Sequence, residues 1–247
     1  MLKVIEHGAV FEIRMDKAPA NAMDMPFIKA LHAVHREVCG QGAAAVVISG
    51  RSGIFSGGLD VPALMGLEYA AMLEFWVGFM DLMQAVASSP VPVTAAITGH
   101  SPAGGSVLAL HCDYRVAAAG DFKIGLNEVQ VGLPVPSTIG RMLASLVGPR
   151  KAQQLTMQGK LINPAQALAL GMVDELVEPD SVVARAVEWS QQLISLPPIA
   201  MNTTRLQAKA DLLQHLADAN DAQVTTEYWF SDETQAAMQA LVARLQD

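Results

Sequence analysis

Only two cysteines, Cys39 and Cys112, occur in the 247 residues. They are too few for a disulfide framework and stand at no metal-binding spacing, so two reduced thiols are expected and no metal site. Charge is also scarce. Asp, Glu, Lys and Arg make up 16% of the chain, the formal net charge is −8, and there is no basic run. That argues against nucleic acid or an anionic membrane surface as partner. Mean hydropathy is +0.30, yet no uninterrupted apolar run approaches the roughly 20 residues of a spanning helix, so no membrane partner is expected. Signal or transit character is missing from M-L-K-V-I-E-H-G-A-V, which makes a cytoplasmic location the expectation. Internal repeats and low-complexity tracts are lacking as well.

What is present is hydrophobic bulk: 51% of residues are apolar, enough for a large buried core. Leu2 to Met15 alternates around His7-Gly8 as a hairpin would. Asp24 can cap a helix that begins at Met25-Pro26 and ends at Gly40. Ala44 to Ser49 reads as a buried strand, and Pro62 to Ser88 as helix. Strands and helices go on alternating for about the first 195 residues, which predicts an α/β fold with parallel strands and crossover helices. After Pro197-Pro198 the pattern is helical throughout. The division expected is a core with the site over 1–196 and a helical region over 197–247, whose apolar residues suit a neighbouring subunit as well as the core.

The central stretch runs from Pro90 to Asp113. Val91 to Thr98 is apolar and rich in β-branched residues, as in a buried strand, and Ala103 to His111 suits a buried helix. Gly-His-Ser-Pro-Ala-Gly-Gly lies between them. A strand that opens directly into a helix leaves backbone N–H groups unpaired at the positive end of the helix dipole, ready for a carboxylate, a phosphate or a developing oxyanion. Gly99-His100-Ser101-Pro102-Ala103 imitates a hydrolase nucleophile elbow. That elbow, however, needs the N–H of the residue after the serine, and Pro102 has none. Gly40-Gln41-Gly42 imitates a dinucleotide fingerprint but precedes a strand where the fingerprint follows one.

Three features combine into a site. The loop Phe55-Ser56-Gly57-Gly58-Leu59-Asp60 offers the N–H of Gly57, and the helix start offers that of Gly104. Two such groups on one carbonyl oxygen would stabilise an enolate or a tetrahedral oxyanion. Glu128 is the acid in an otherwise uncharged stretch from Ile124 to Ser137. Burial there would raise its proton affinity toward that of a useful base.

Together these stretches resemble the crotonase (enoyl-CoA hydratase/isomerase) superfamily, over nearly the whole chain. The matching pieces are K-A-P-A-N-A, F-S-G-G-L-D, A-I-T-G-H-S-P-A-G-G, C-D-Y-R, G-L-N-E-V-Q-V-G-L, the turn at Gly159 to Asn163 with P-A-Q-A-L-A-L-G-M-V-D, and F-S-D-E-T-Q. The P-A-G-G and G-L-N-E pieces look most like the mitochondrial-type enoyl-CoA isomerases, with Ser101 where that motif often has Cys. The resemblance implies a ββα superhelix core and an acyl-CoA substrate of fatty-acid β-oxidation. It implies no cofactor beyond the substrate's own coenzyme A, and a homotrimer or dimer of trimers. Gly57 and Gly104 would hold the thioester oxygen and Glu128 would be the acid/base. Asn127 and Gly58-Leu59-Asp60 would line the substrate channel, and backbone at Ala20 would touch the adenine end of coenzyme A.

Hydratases of this superfamily carry a second glutamate three residues past the oxyanion glycine, one helical turn on and on the same side. Here that position is Val107. Adding water needs its activation and the delivery of its parts, which two carboxylates do well, whereas moving a double bond needs one base within reach of C2 and C4. Val107 therefore favours isomerisation of a 3-enoyl-CoA and is placed against the acyl chain. Hydration, dienoyl-CoA isomerisation, thioester hydrolysis and a catalytically silent acyl-CoA-binding subunit are the alternatives.

Overall fold

The computed structural model describes residues 1–246, with side chains described to 244. The hairpin forms as expected: β1 (Leu2–His7) and β2 (Val10–Met15) pair antiparallel. Asp24 caps α1 (Met25–Gly40) by accepting from the N–H of Phe27. β3 (Ala45–Ser49), β4 (Gly53–Ile54), α2 (Val61–Leu64) and α3 (Tyr69–Ala87) follow. The single helix expected over Pro62 to Ser88 is thus two helices, parted around Gly66, a residue with a low helix propensity. By length and composition α3 could cross a membrane. Here it packs against α1 and later helices, and buries Met72, Phe75, Trp76, Phe79, Leu82 and Met83.

The central stretch gives β5 (Val93–Ile97), β6 (Gly99–Pro102) and α4 (Gly104–His111). Next come β7 (Tyr114–Ala118), β8 (Ile124–Gly125) and a 3-10 turn, Glu128–Val131. Then α5 (Ser137–Val147), α6 (Pro149–Gln158), α7 (Pro164–Leu170), β9 (Glu175–Val177) and α8 (Val182–Ile194) complete the core. The tail is α9 (Pro198–Gln207), α10 (Ala210–Asp218), α11 (Asp221–Trp229) and α12 (Asp232–Gln246).

Six strands form one sheet in the order β1-β2-β3-β5-β7-β9, parallel from β2 onward. Side-chain alternation sends Val46 and Ile48 of β3 into the main core and Ala45 and Val47 to the opposite face, where α8 packs with Val182, Ala186 and Val187. On that face Thr94 and Ser190 hydroxyls meet at 2.9 Å. A second, smaller sheet, β4-β6-β8, is also parallel. It carries the chain out of the main sheet, so that the starts of α4 and of the 3-10 turn come to lie around one cavity.

Candidate active site

Asn21, wholly buried, anchors the loop after β4 by donating to the carbonyl of Phe55 at 2.9 Å. Ser56 Oγ donates to the carbonyl of Asn21 and accepts from the N–H of Gly58. Gly58 has φ +88°, a conformation that glycine adopts without penalty. Met23 and Leu59 then form a parallel bridge: the N–H of Met23 donates to the carbonyl of Gly58, and that of Asp60 to the carbonyl of Met23.

This arrangement corrects the expectation for Gly57. Its N–H donates to the carbonyl of Ala20 at 2.7 Å and is already engaged. In a parallel bridge the central residue's N–H points away from the partner strand. That residue is Leu59, whose N–H has no acceptor among the described residues. Gly104 matches the expectation: it opens α4, and its N–H likewise has no acceptor among them. Ala103, just before it, is held at φ +45°, an uncommon and strained geometry for a residue with a Cβ.

A cavity of about 220 Å³ gathers Gly57, Leu59, Gly104, Val107, Asn127 and Glu128. Trp76, Phe79, Leu133, Ile139, Met238 and Leu241 supply much of its apolar lining. Three predicted binding residues lie outside that lining. Ala20 buttresses Gly57, and Gly58 serves the turn. Asp60 caps α2 through the N–H of Ala63 and pairs with Lys17 Nζ at 3.1 Å. Ser101 is fully buried and also absent from the lining, and its successor is Pro102, so the elbow stays rejected.

Glu128 is the one ionisable side chain among the described lining residues. Its Oε2 is buried without a hydrogen-bond partner, and burial pushes its pKa up to about 7. Val107, 1% exposed, occupies the wall one turn beyond Gly104. The tail reaches this site too. Thr234, at the start of α12, donates from Oγ1 to the carbonyl of Gly132 at 2.7 Å, just past the 3-10 turn. Gly132 has φ +78°, and a Cβ there would stand 2.8 Å from Thr234 Cα. Met238 and Leu241, on the same helix, enter the cavity wall. The sequence marks these positions only as apolar sites on an amphipathic helix.

A base with this proton affinity sets a pH dependence. Glu128 can accept a proton only when ionised, so kcat/KM should be half-maximal near pH 7. It should fall about tenfold per pH unit below that and level off above. A pH–rate profile of kcat/KM checks this, and a midpoint near pH 4.5 would show that the carboxylate is hydrated in the free protein.

Nearly the whole chain aligns with known proteins. The human mitochondrial enoyl-CoA delta isomerase 1 is 29% identical over 247 residues, covering 97% of this chain and 81% of that protein. Probable enoyl-CoA hydratase EchA17 of Mycobacterium tuberculosis is 34% identical over 194 residues, 76% of this chain and 72% of that protein. The crystal structure of human mitochondrial delta3-delta2-enoyl-CoA isomerase superposes with a TM-score of 0.94 at 28% identity, covering 99% and 98% of the two chains. That of the enoyl-CoA hydratase EchA3 from Mycobacterium ulcerans gives 0.85 at 29% identity, covering 92% and 99%. With the family model for enoyl-CoA hydratase/isomerase matching residues 6–247, the chain belongs to the enoyl-CoA hydratase/isomerase family and has the crotonase fold.

Proposed function

We propose that the protein is an enoyl-CoA isomerase of fatty-acid metabolism that moves the double bond of a 3-enoyl-CoA to the 2-trans position. The observation that carries this is the cavity's single carboxylate: Val107 stands where a second acid would be, and Glu128 alone can move a proton. The thioester oxygen sits between the N–H groups of Leu59 and Gly104. Glu128 removes a proton from C2, and the electron pair is delocalised as a dienolate onto the thioester oxygen, where the two N–H groups stabilise it. The same carboxyl then delivers the proton to C4, which leaves the double bond between C2 and C3. Asn127 borders the reacting carbons. Coenzyme A arrives with the substrate, and the reaction calls for no other cofactor.

Resemblance to human enoyl-CoA delta isomerase 1 supports this reading. The test is incubation with 3-cis- and 3-trans-enoyl-CoAs of several lengths. Conjugated 2-enoyl-CoA should appear, and its absence at every length would overturn the assignment.

The active form is a trimer or a dimer of trimers. Leu196 and Ile199, on either side of Pro197-Pro198, are 50% and 83% exposed. Leu196 also lines a largely apolar groove of about 750 Å³ between the core and the tail, together with Leu193, Met201 and Leu212. Exposed apolar surface of this kind suits a subunit contact. Light scattering at micromolar concentration should give three or six times the 26.2 kDa chain mass, and a monomeric mass would rule the assembly out.

A further inference from the structure

Leu59 and Gly104 have to present their N–H groups side by side, and the two stand close. A Cβ on Gly104 would lie 3.5 Å from the carbonyl carbon of Gly58, the atom bonded to the nitrogen of Leu59. Ahead of Leu59 the loop is fixed by Asn21 and Ser56. Behind it the backbone is held through Asp60, whose N–H meets the carbonyl of Met23, and α2 begins at once. The residues that follow the two bridge partners are both aspartates, Asp24 after Met23 and Asp60 after Leu59. Each uses Oδ1 to cap a helix, α1 or α2. Their Oδ2 atoms meet one ammonium, Lys17 Nζ, at 2.7 and 3.1 Å. The same Nζ donates to the carbonyl of Ala22 at 2.8 Å. These acceptors use all three N–H groups of the ammonium, which leaves none for a ligand. The three side chains are at least three-quarters buried, so the forces among them are screened less than at an open surface.

We propose that Lys17 is a positioning residue for the oxyanion donor: by clamping Asp24 to Asp60 it holds the Met23–Leu59 bridge shut and keeps the Leu59 N–H aimed at the thioester oxygen. This rests on the reading of Leu59 and Gly104 given above. Without the ammonium, two carboxylates would face each other beside a bridge joined by only two backbone hydrogen bonds, and like charges sharing a site repel. Opening the bridge swings Leu59 away from Gly104, and a misplacement of about 1 Å in a reacting geometry can cost about 100-fold in rate.

The test is the C=O stretch of a bound saturated acyl-CoA, isotope-labelled at the thioester carbonyl and read by difference infrared spectroscopy. Two aligned N–H groups polarise the carbonyl, so in wild type the band should lie below that of free acyl-CoA. In Lys17→Met it should move back toward the free position. Turnover of a 3-enoyl-CoA should fall at least about tenfold, short of the 10²–10³ of a donor lost outright. The dissociation constant of the saturated acyl-CoA should change by less than about threefold, because the loss falls on the transition state. Asp60→Asn can keep the cap through Oδ1 but turns an amide N–H toward the ammonium. It should move the band in the same direction, and it decides the matter if Lys17→Met does not fold. The double variant has lost the repulsion and should turn over no more slowly than Lys17→Met. A band that stays in place in both single variants overturns the proposal, and so do losses that multiply in the double variant. Weaker binding of the saturated acyl-CoA with an unmoved band overturns it too, and makes Lys17 a substrate contact. A wild-type band at the free position, or no binding at all, removes the oxyanion reading with it.

Discussion

Glu128→Gln is expected to lower isomerase turnover by at least about 100-fold, within the 10²–10⁴ range of general acid–base catalysis, while changing the affinity for a saturated acyl-CoA by less than about threefold. The amide keeps the shape of the side chain and cannot take the C2 proton. With no other ionisable group among the described lining residues, no neighbour can substitute. A variant that keeps more than a tenth of the wild-type rate would show that the base lies elsewhere. The same substitution has a signature in stability. Because burial raises the folded-state pKa of Glu128 from 4.5 to about 7, the folded chain holds this proton more tightly than the unfolded one. Wild-type protein therefore loses stability as pH rises from 4.5 to 7 and stays at the lower level above that. Glu128→Gln escapes the loss and should be the more stable protein at pH 8, by up to about 3 kcal/mol. Equal denaturation midpoints at pH 8 would mean that the carboxylate is hydrated in the free protein.

Hydration should be the slow reaction. On one preparation, water addition to a short 2-enoyl-CoA is expected to run at least about 100-fold more slowly than isomerisation of the matched 3-enoyl-CoA, the usual loss for one missing acid/base group. Val107 is the cause. Its methyl groups offer a water molecule no hydrogen bond in a part of the wall where every neighbour on α4 is buried. Following 3-hydroxyacyl-CoA and 2-enoyl-CoA separately distinguishes the two rates. Comparable rates would assign the water to another residue and turn the protein into a hydratase.

Much of this architecture can be read from local pattern. The β1–β2 alternation, the Asp24 cap and the start of α4 at Gly104 depend on nearby residues, and they formed at the expected places within a residue or two. The direct passage from strand to helix did not, because Gly99–Pro102 pairs with β4 and β8 in the small sheet. Glu128 also stood out locally, as a lone acid among apolar neighbours. The loop donor was misplaced because its identity is decided across a distance. Gly57 is occupied by the carbonyl of Ala20, and Leu59 is turned outward by its bridge to Met23, so neither fact can be seen in F-S-G-G-L-D itself. The break between α2 and α3 was hidden by the dense apolar residues on both sides of it, from Leu64 to Met83. Trp76, Met238 and Leu241 looked like ordinary core positions, since a helix face turned to a cavity has the same periodicity as one turned to solid packing.

The contact between Thr234 and Gly132 joins residues 102 positions apart in the sequence, and this gives the site an order of assembly. On a ribosome, Leu59, Gly104 and Glu128 have all been made while the helix that completes their enclosure is still to come. Until α12 docks, the cavity wall lacks Met238 and Leu241, and the enclosure around Glu128 is incomplete.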